Sequence, residues 1–128
     1  MAGFRDIQAW QKTRILIKQI YVICDQLPDY EKYGLASQMR RAAISVSCNI
    51  VEGSARGSWV EFIRFLKIAR TSASELETQL IHCHDLGFSS EDKLLESARL
   101  TQEVQRLING LIQGIKEKWG VKEDKYEY

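Results

Sequence analysis

Four stretches of the chain carry apolar residues at three- and four-residue steps, the spacing of one face of an α-helix. In the first, residues 5–27, Ile7, Trp10, Ile17, Ile20 and Cys24 form one stripe, and Leu16, Ile20, Ile23 and Leu27 form a second beside it. Together they are wider than the roughly 100° stripe that one helix contact needs, which predicts a second buried surface on this helix. Pro28 ends it, and Asp29 to Gly34 is a turn-rich connection. The second stretch begins near Leu35 and places Leu35, Met39, Ala42, Ala43, Val46 and Ile50 on one side. Gly53 and Gly57 both suit a left-handed terminator; Gly57 is preferred, because Ser54, Ala55 and Arg56 can continue a helix.

Ser58 followed by Glu61 reads as a capping box, with the serine oxygen accepting from a first-turn amide and the glutamate reaching back to the cap. The third helix starts there, carries Phe62, Phe65, Leu66, Ala69, Ala73, Leu76 and Leu80 on one side, and runs to Leu86, with Gly87 placed to stop it. Ser89 and Ser90, with Glu91 and Asp92 in the first turn, cap a fourth helix bearing Leu94, Ala98, Val104, Leu107, Ile108, Leu111, Ile112 and Ile115. Gly110 and Gly114 lie inside it, each costing about 1 kcal/mol against alanine, so they mark either a close backbone approach or a tolerant helix. Short connections between four amphipathic helices favour antiparallel neighbours. The expected fold is therefore all-α, an up-down-up-down four-helix bundle over residues 1–119 with a charged, frayed tail over 120–128.

Polar residues set the middle of the chain apart. Gln38, Arg41, Ser45, Asn49, Glu52 and Arg56 follow one another at steps of 3, 4, 4, 3 and 4, forming one stripe, and Ser72, Glu75 and Gln79 form another on the next helix. Ser45, Asn49, Glu52, Ser72 and Glu75 read either as a polar site or as a hydrogen-bonded structural network between helices or subunits, and the network is favoured because buried polar groups must be paired. Glu52 and Glu75 have the chemistry for acid-base work. No nucleophile, phosphate loop or cofactor motif accompanies them, so no catalytic residue, cofactor or enzymatic activity is expected.

Charge changes the picture more than composition does. The chain has 128 residues, 45% of them hydrophobic, enough for one core, and a net charge of +1. That small sum hides an asymmetry: Arg40, Arg41, Arg56, Arg64, Lys67 and Arg70 face only Glu52 and Glu61 between Gln38 and Arg70, a balance of +4, whereas Thr71 to Glu103 carries two basic and seven acidic residues, a balance of −5. The six basic residues are candidates for neutralising phosphates; the competing reading is a solvated face, or ion pairs with the acidic half of a neighbouring subunit. Trp10, Trp59 and Trp119 read as core or interface anchors ahead of base-stacking platforms.

No apolar run approaches the roughly 18 residues of a membrane span, and Asp6 and Gln8 interrupt the opening where a signal peptide would be apolar. A cytoplasmic protein is expected, with no membrane partner. Cys24, Cys83 and Cys48 are odd in number and far apart in apolar contexts, so they read as small buried hydrophobes. His82, Cys83 and His84 are neighbours on a helix and point about 100° apart, which argues against a metal site.

QMRRAAISVSCNIVEG, RGSWVEFIRFLKIARTSASELETQL, the FRDIQAWQ opening and YGLASQMRRA before the second helix give the chain a family resemblance. It resembles the four-helix-bundle proteins encoded in intervening sequences of bacterial 23S rRNA genes, which also occur as free-standing genes, over nearly all of residues 4–118. Thr71 departs from the pattern, where many members carry glycine before Ser72. The resemblance implies a homo-oligomeric ring, commonly a pentamer, without known enzymatic activity. A distant structural relative, the accessory protein of diversity-generating retroelements, assembles similarly and binds nucleic acid and a reverse transcriptase, which makes RNA or a ribonucleoprotein the expected partner. A protein-only assembly scaffold is the alternative.

Overall fold

The computed structural model describes residues 3–121. Four helices, α1 (Gln8–Asp25), α2 (Leu35–Ser54), α3 (Trp59–Leu86) and α4 (Glu91–Trp119), account for most of them, with 3₁₀ turns at Phe4–Asp6 and Asp29–Glu31 and no strand among the described residues. The bundle is closed: each helix packs on the next, and α1 packs on α4. Cross-helix bonds show how neighbours run. Arg70 bonds Asn109, Gln105 bonds Ser74 and Gln102 bonds Glu77, so advancing along α3 means retreating along α4. Gln19 with Glu96 and Lys12 with Glu103 place α1 and α4 antiparallel in the same way.

The apolar stripes face one another across the axis. Leu16 and Ile20 of α1, Met39, Val46 and Ile50 of α2, Leu66 and Leu76 of α3, and Val104 and Ile108 of α4 are wholly enclosed. Two threonines join this core because each donates its hydroxyl proton to a carbonyl of its own helix, Thr13 to Ala9 at 2.6 Å and Thr101 to Ser97 at 2.7 Å. No solvent is needed to satisfy them.

Helix ends follow the capping chemistry with three differences. Glu31 Oε1 accepts from the Leu35 amide at 3.1 Å, so α2 is capped from the preceding turn. At its other end α2 stops at Ser54, short of Gly57: the last amides turn to nearer carbonyls, Arg56 to Gly53 at 3.3 Å, and Ser54 Oγ donates to the Val51 carbonyl. Gly57 still provides the reversal, with φ +73°. Ser58 accepts from the Glu61 amide at 3.3 Å, but the Glu61 carboxylate turns away to Arg64, leaving half of the expected capping box. At the end of α3, Phe88 N–H bonds the Cys83 carbonyl and Gly87 N–H bonds that of His84, a Schellman ending with Gly87 left-handed.

Gly53 is enclosed within α2, where it lets Phe65 and Phe62 of α3 approach. Gly110 and Gly114 are exposed, and a Cβ on either would meet nothing within 4 Å, so they mark tolerant positions and no close approach. Of the tail expected over 120–128, residues from 122 onward lie outside the described ones.

Candidate functional site

The α2–α3 interface brings part of the polar stripe together. Ser45 and Ser72 hydroxyls lie 2.9 Å apart across it, and Asn49 Nδ2 donates to both the carbonyl and the hydroxyl of Ser45, at 2.8 and 3.0 Å. This is a short structural relay, with Asn49 serving its own helix and one serine pair making the crossing. Glu52 and Glu75 do not belong to it. Both are exposed; Glu52 forms an ion pair with Arg56 at 2.9 Å, and Glu75 borders a groove with Gln38, Arg41, Ala42, Ser45 and Ser72. Glu75 lies a three-residue step from Ser72, about 60° around α3 at roughly 100° per residue, and so falls beside the seam, whereas Glu52 keeps the angle of Ser45 but sits near the end of α2, where its carboxylate turns to Arg56. Gln79, from the same stripe, is the reverse case. It is buried, with its carbonyl oxygen unpaired.

The six basic candidates do not form one site. Arg56 and Arg64 converge at the hinge between α2 and α3, their guanidinium carbons 4.8 and 4.7 Å from the Phe65 ring centroid. Each also holds a carboxylate, Arg56 that of Glu52 and Arg64 that of Glu61 at 2.7 Å. The Arg64 hydrogen bonds keep the Glu61 carboxyl below its usual range. Arg70 turns to α4, donating to Asn109 Oδ1 at 2.9 Å, while Lys67 lies half-buried between these two directions. Arg40 and Arg41 sit roughly 20 Å away along α2 at 1.5 Å per residue, Arg40 5.9 Å from the Tyr21 ring centroid and Arg41 exposed. Within the chain, Arg56 and Arg64 each pair with an acid three or four residues before them.

Charge nevertheless separates, along the bundle axis. The half holding the α2–α3 hinge, residues 3–16, 46–72 and 105–121, carries ten Lys and Arg against four Asp and Glu; the other half, residues 17–45 and 73–104, carries six against ten. Antiparallel folding produces this. It stacks the start of α3 on the end of α4, so basic segments distant in sequence share one end.

The same half gathers all three tryptophans. Trp59, the first residue of α3, stacks on Trp119, the last of α4, with centroids 4.9 Å apart and planes 14° apart. Trp59 also stacks on Phe62 at 6.3 Å and 24°. Trp10 packs edge-on to Phe4, with Arg14 5.2 Å from its ring centroid.

Two cysteines meet the expectation of burial and one does not. Cys24 and Cys83 are buried; Cys48 is exposed on the outer face of α2. Burial pushes the Cys83 thiol up to about 11 and also raises that of Cys24. Cys83 Sγ lies 3.5 Å from Met39 Sδ, a soft contact in the core. His84 is exposed between Asp85 and Glu91, and no group of three His, Cys, Asp or Glu residues among the described ones is placed to hold a metal ion. None of the described helices is long and apolar enough to cross a membrane.

The arrangement has counterparts among known proteins. A crystal structure of a protein of unknown function from the S23 ribosomal protein family of Bacteroides thetaiotaomicron superposes with a TM-score of 0.76, covering 82% of this chain and 98% of that one at 22% identity. At that identity the likeness speaks for the fold. No curated protein matches the chain. The profile of the 23S rRNA-intervening sequence protein family matches residues 5–110, which span α1, α2, α3, most of α4 and the α2–α3 polar relay. The chain belongs to the 23S rRNA-intervening sequence protein family.

Proposed function

We propose that this protein is a non-enzymatic, homo-oligomeric RNA-binding protein whose basic half meets the phosphate backbone. The observation that carries this reading is the charge separation, ten cations against four acids around the hinge and six against ten at the other end. Phosphate contacts supply affinity and orientation without reading sequence, and a field gathered at one end steers a polyanion toward it. Because Arg56 and Arg64 already hold carboxylates, the surplus there comes from other cations such as Arg5, Arg14, Arg106 and Lys118.

The family resemblance supplies the assembly, a ring commonly of five copies. Ile15 and Val22, on the outer side of α1 and each 48% exposed, support it by offering apolar surface for a neighbour. A ring would repeat the basic end in every copy and raise avidity accordingly. Cytoplasmic location fits free Cys24, Cys48 and Cys83. The protein-only scaffold remains the second reading, favoured by exposed Ile81, Leu86 and Leu95 near the α3–α4 turn.

Ultraviolet cross-linking of the purified full chain to uridine-rich RNA, with peptide mapping, tests the proposal. Adducts in residues 3–16, 46–72 or 105–121 support it. Adducts confined to residues 17–45 and 73–104, or none, overturn it, and a discrete oligomer in light scattering that ignores RNA would establish the scaffold reading.

A further inference from the structure

Three aromatic rings run from the core to the surface at the basic end of the bundle. Phe62 is 2% exposed, Trp59 is half-buried and stacks on it, and Trp119, stacked on Trp59, is 49% exposed. The planes of each successive pair differ by no more than 24°. The 4.9 Å separation of the two indole centroids is that of an offset stack. Trp59 opens α3 and Trp119 closes α4, so the outermost ring is backed by Trp59 and continues the column to the surface.

We propose that the Phe62–Trp59–Trp119 column is a stacking platform for an unpaired nucleobase, so that the single-stranded part of an RNA is what this end selects. The inference rests on the RNA-binding reading and adds the base to it. An indole accepts a base of any identity on its face, and such stacking does not depend on hydrogen-bond readout. The Lys118 ammonium lies over the Trp119 ring, 5.3 Å from its centroid; on an exposed, flexible side chain it swings aside to admit a base and stays within reach of that base's phosphate. Phe65 cannot take this part, since it is buried and the arginines over its ring, Arg56 and Arg64, are each tied to a carboxylate. A duplex keeps its bases stacked on one another and offers the column none, so it would be held through phosphates alone.

The test uses the full chain, a ten-nucleotide oligouridylate, and an abasic oligomer with the same number of phosphates. Indole fluorescence is followed together with affinity. The proposal predicts that oligouridylate quenches the fluorescence and the abasic oligomer does not. Trp119→Ala should weaken oligouridylate binding by about 5- to 150-fold, the equivalent of stacking one base, and leave abasic binding unchanged. Trp119→Leu, which keeps apolar cover over Trp59 but has no aromatic face, should lose as much, and its thermal melt reports whether the bundle is intact. Oligouridylate affinity within twofold of the parent in the leucine variant, with salt dependence retained, would overturn the platform and leave the phosphate reading standing. Equal weakening toward both oligomers would also overturn it, as the signature of structural damage. Failure of the parent protein to bind either oligomer would remove both readings.

Discussion

Gly53 of α2 and Phe65 of α3 meet so closely that a Cβ on the glycine would lie 2.7 Å from the Phe65 Cβ and 3.3 Å from the Phe62 carbonyl oxygen. Neither atom is the free end of a flexible side chain, so one helix would have to shift. Alanine would gain about 1 kcal/mol of helix propensity, but overpacking of this kind costs about 1–3 kcal/mol. Gly53→Ala should therefore lower stability in urea unfolding. Gly110→Ala and Gly114→Ala, in open space on α4, should each raise it by about 1 kcal/mol.

The serine pair makes a narrower prediction. Ser72→Ala removes the only bond of the Asn49–Ser45–Ser72 relay that crosses between helices, and should cost about 0.5–1.5 kcal/mol. A double-mutant cycle with Ser45→Ala should show coupling between the two. Glu52→Gln and Glu75→Gln, at exposed positions, should stay within about 0.5 kcal/mol of the parent.

How far this interface was legible in the sequence depends on what fixes each residue. Ser45 and Ser72 lie near the middle of their helices, where periodicity keeps a stripe on the interface, and their hydroxyls meet there. Glu75 belongs to the same stripe as Ser72 but its three-residue step sets it about 60° to the side, and Glu52 shares the angle of Ser45 yet pairs with Arg56 near the helix end, which spacing alone does not show. Helix stops were legible where a glycine reverses the chain, as at Gly87, and less so at Ser54, where a side-chain hydroxyl and shortened backbone bonds end the helix before the reversing glycine.

The aromatic column was hidden for a different reason. Trp59 and Trp119 are 60 positions apart in the numbering, so only topology joins them. Once α3 and α4 are antiparallel, the first residue of one must lie beside the last of the other, and that reasoning was available from helix limits alone. Cys48 shows the opposite failure: two residues from both Val46 and Ile50, it points away from their buried stripe and sits on the outer face of α2.

Thiol accessibility follows directly. Iodoacetamide at neutral pH should modify Cys48 readily in the native protein, with Cys24 and Cys83 protected until unfolding. Peptide mapping that finds Cys83 alkylated as fast as Cys48 would contradict the core described here.

Alkaline pH probes the same core through linkage. The Cys83 thiol is raised from 9.0 to about 11 in the folded chain, so the folded state holds this proton over a range in which the unfolded state releases it. The stabilisation is complete below pH about 9 and is lost as pH rises through about 11. Its size is about 2–3 kcal/mol at 1.36 kcal/mol per pH unit. Stability measured across that window should fall, and Cys83→Ala should fall less steeply than the parent.

The central claim is that the basic half binds RNA through phosphates, and the salt dependence of binding tests it most directly. Each phosphate neutralised on a single strand contributes about −0.7 to the slope of log affinity against log salt. Titrating the full chain with single-stranded RNA between about 50 and 200 mM salt should give a slope steeper than about −2, the equivalent of three or more contacts. A slope near zero, or no binding at the lowest salt, would contradict the account.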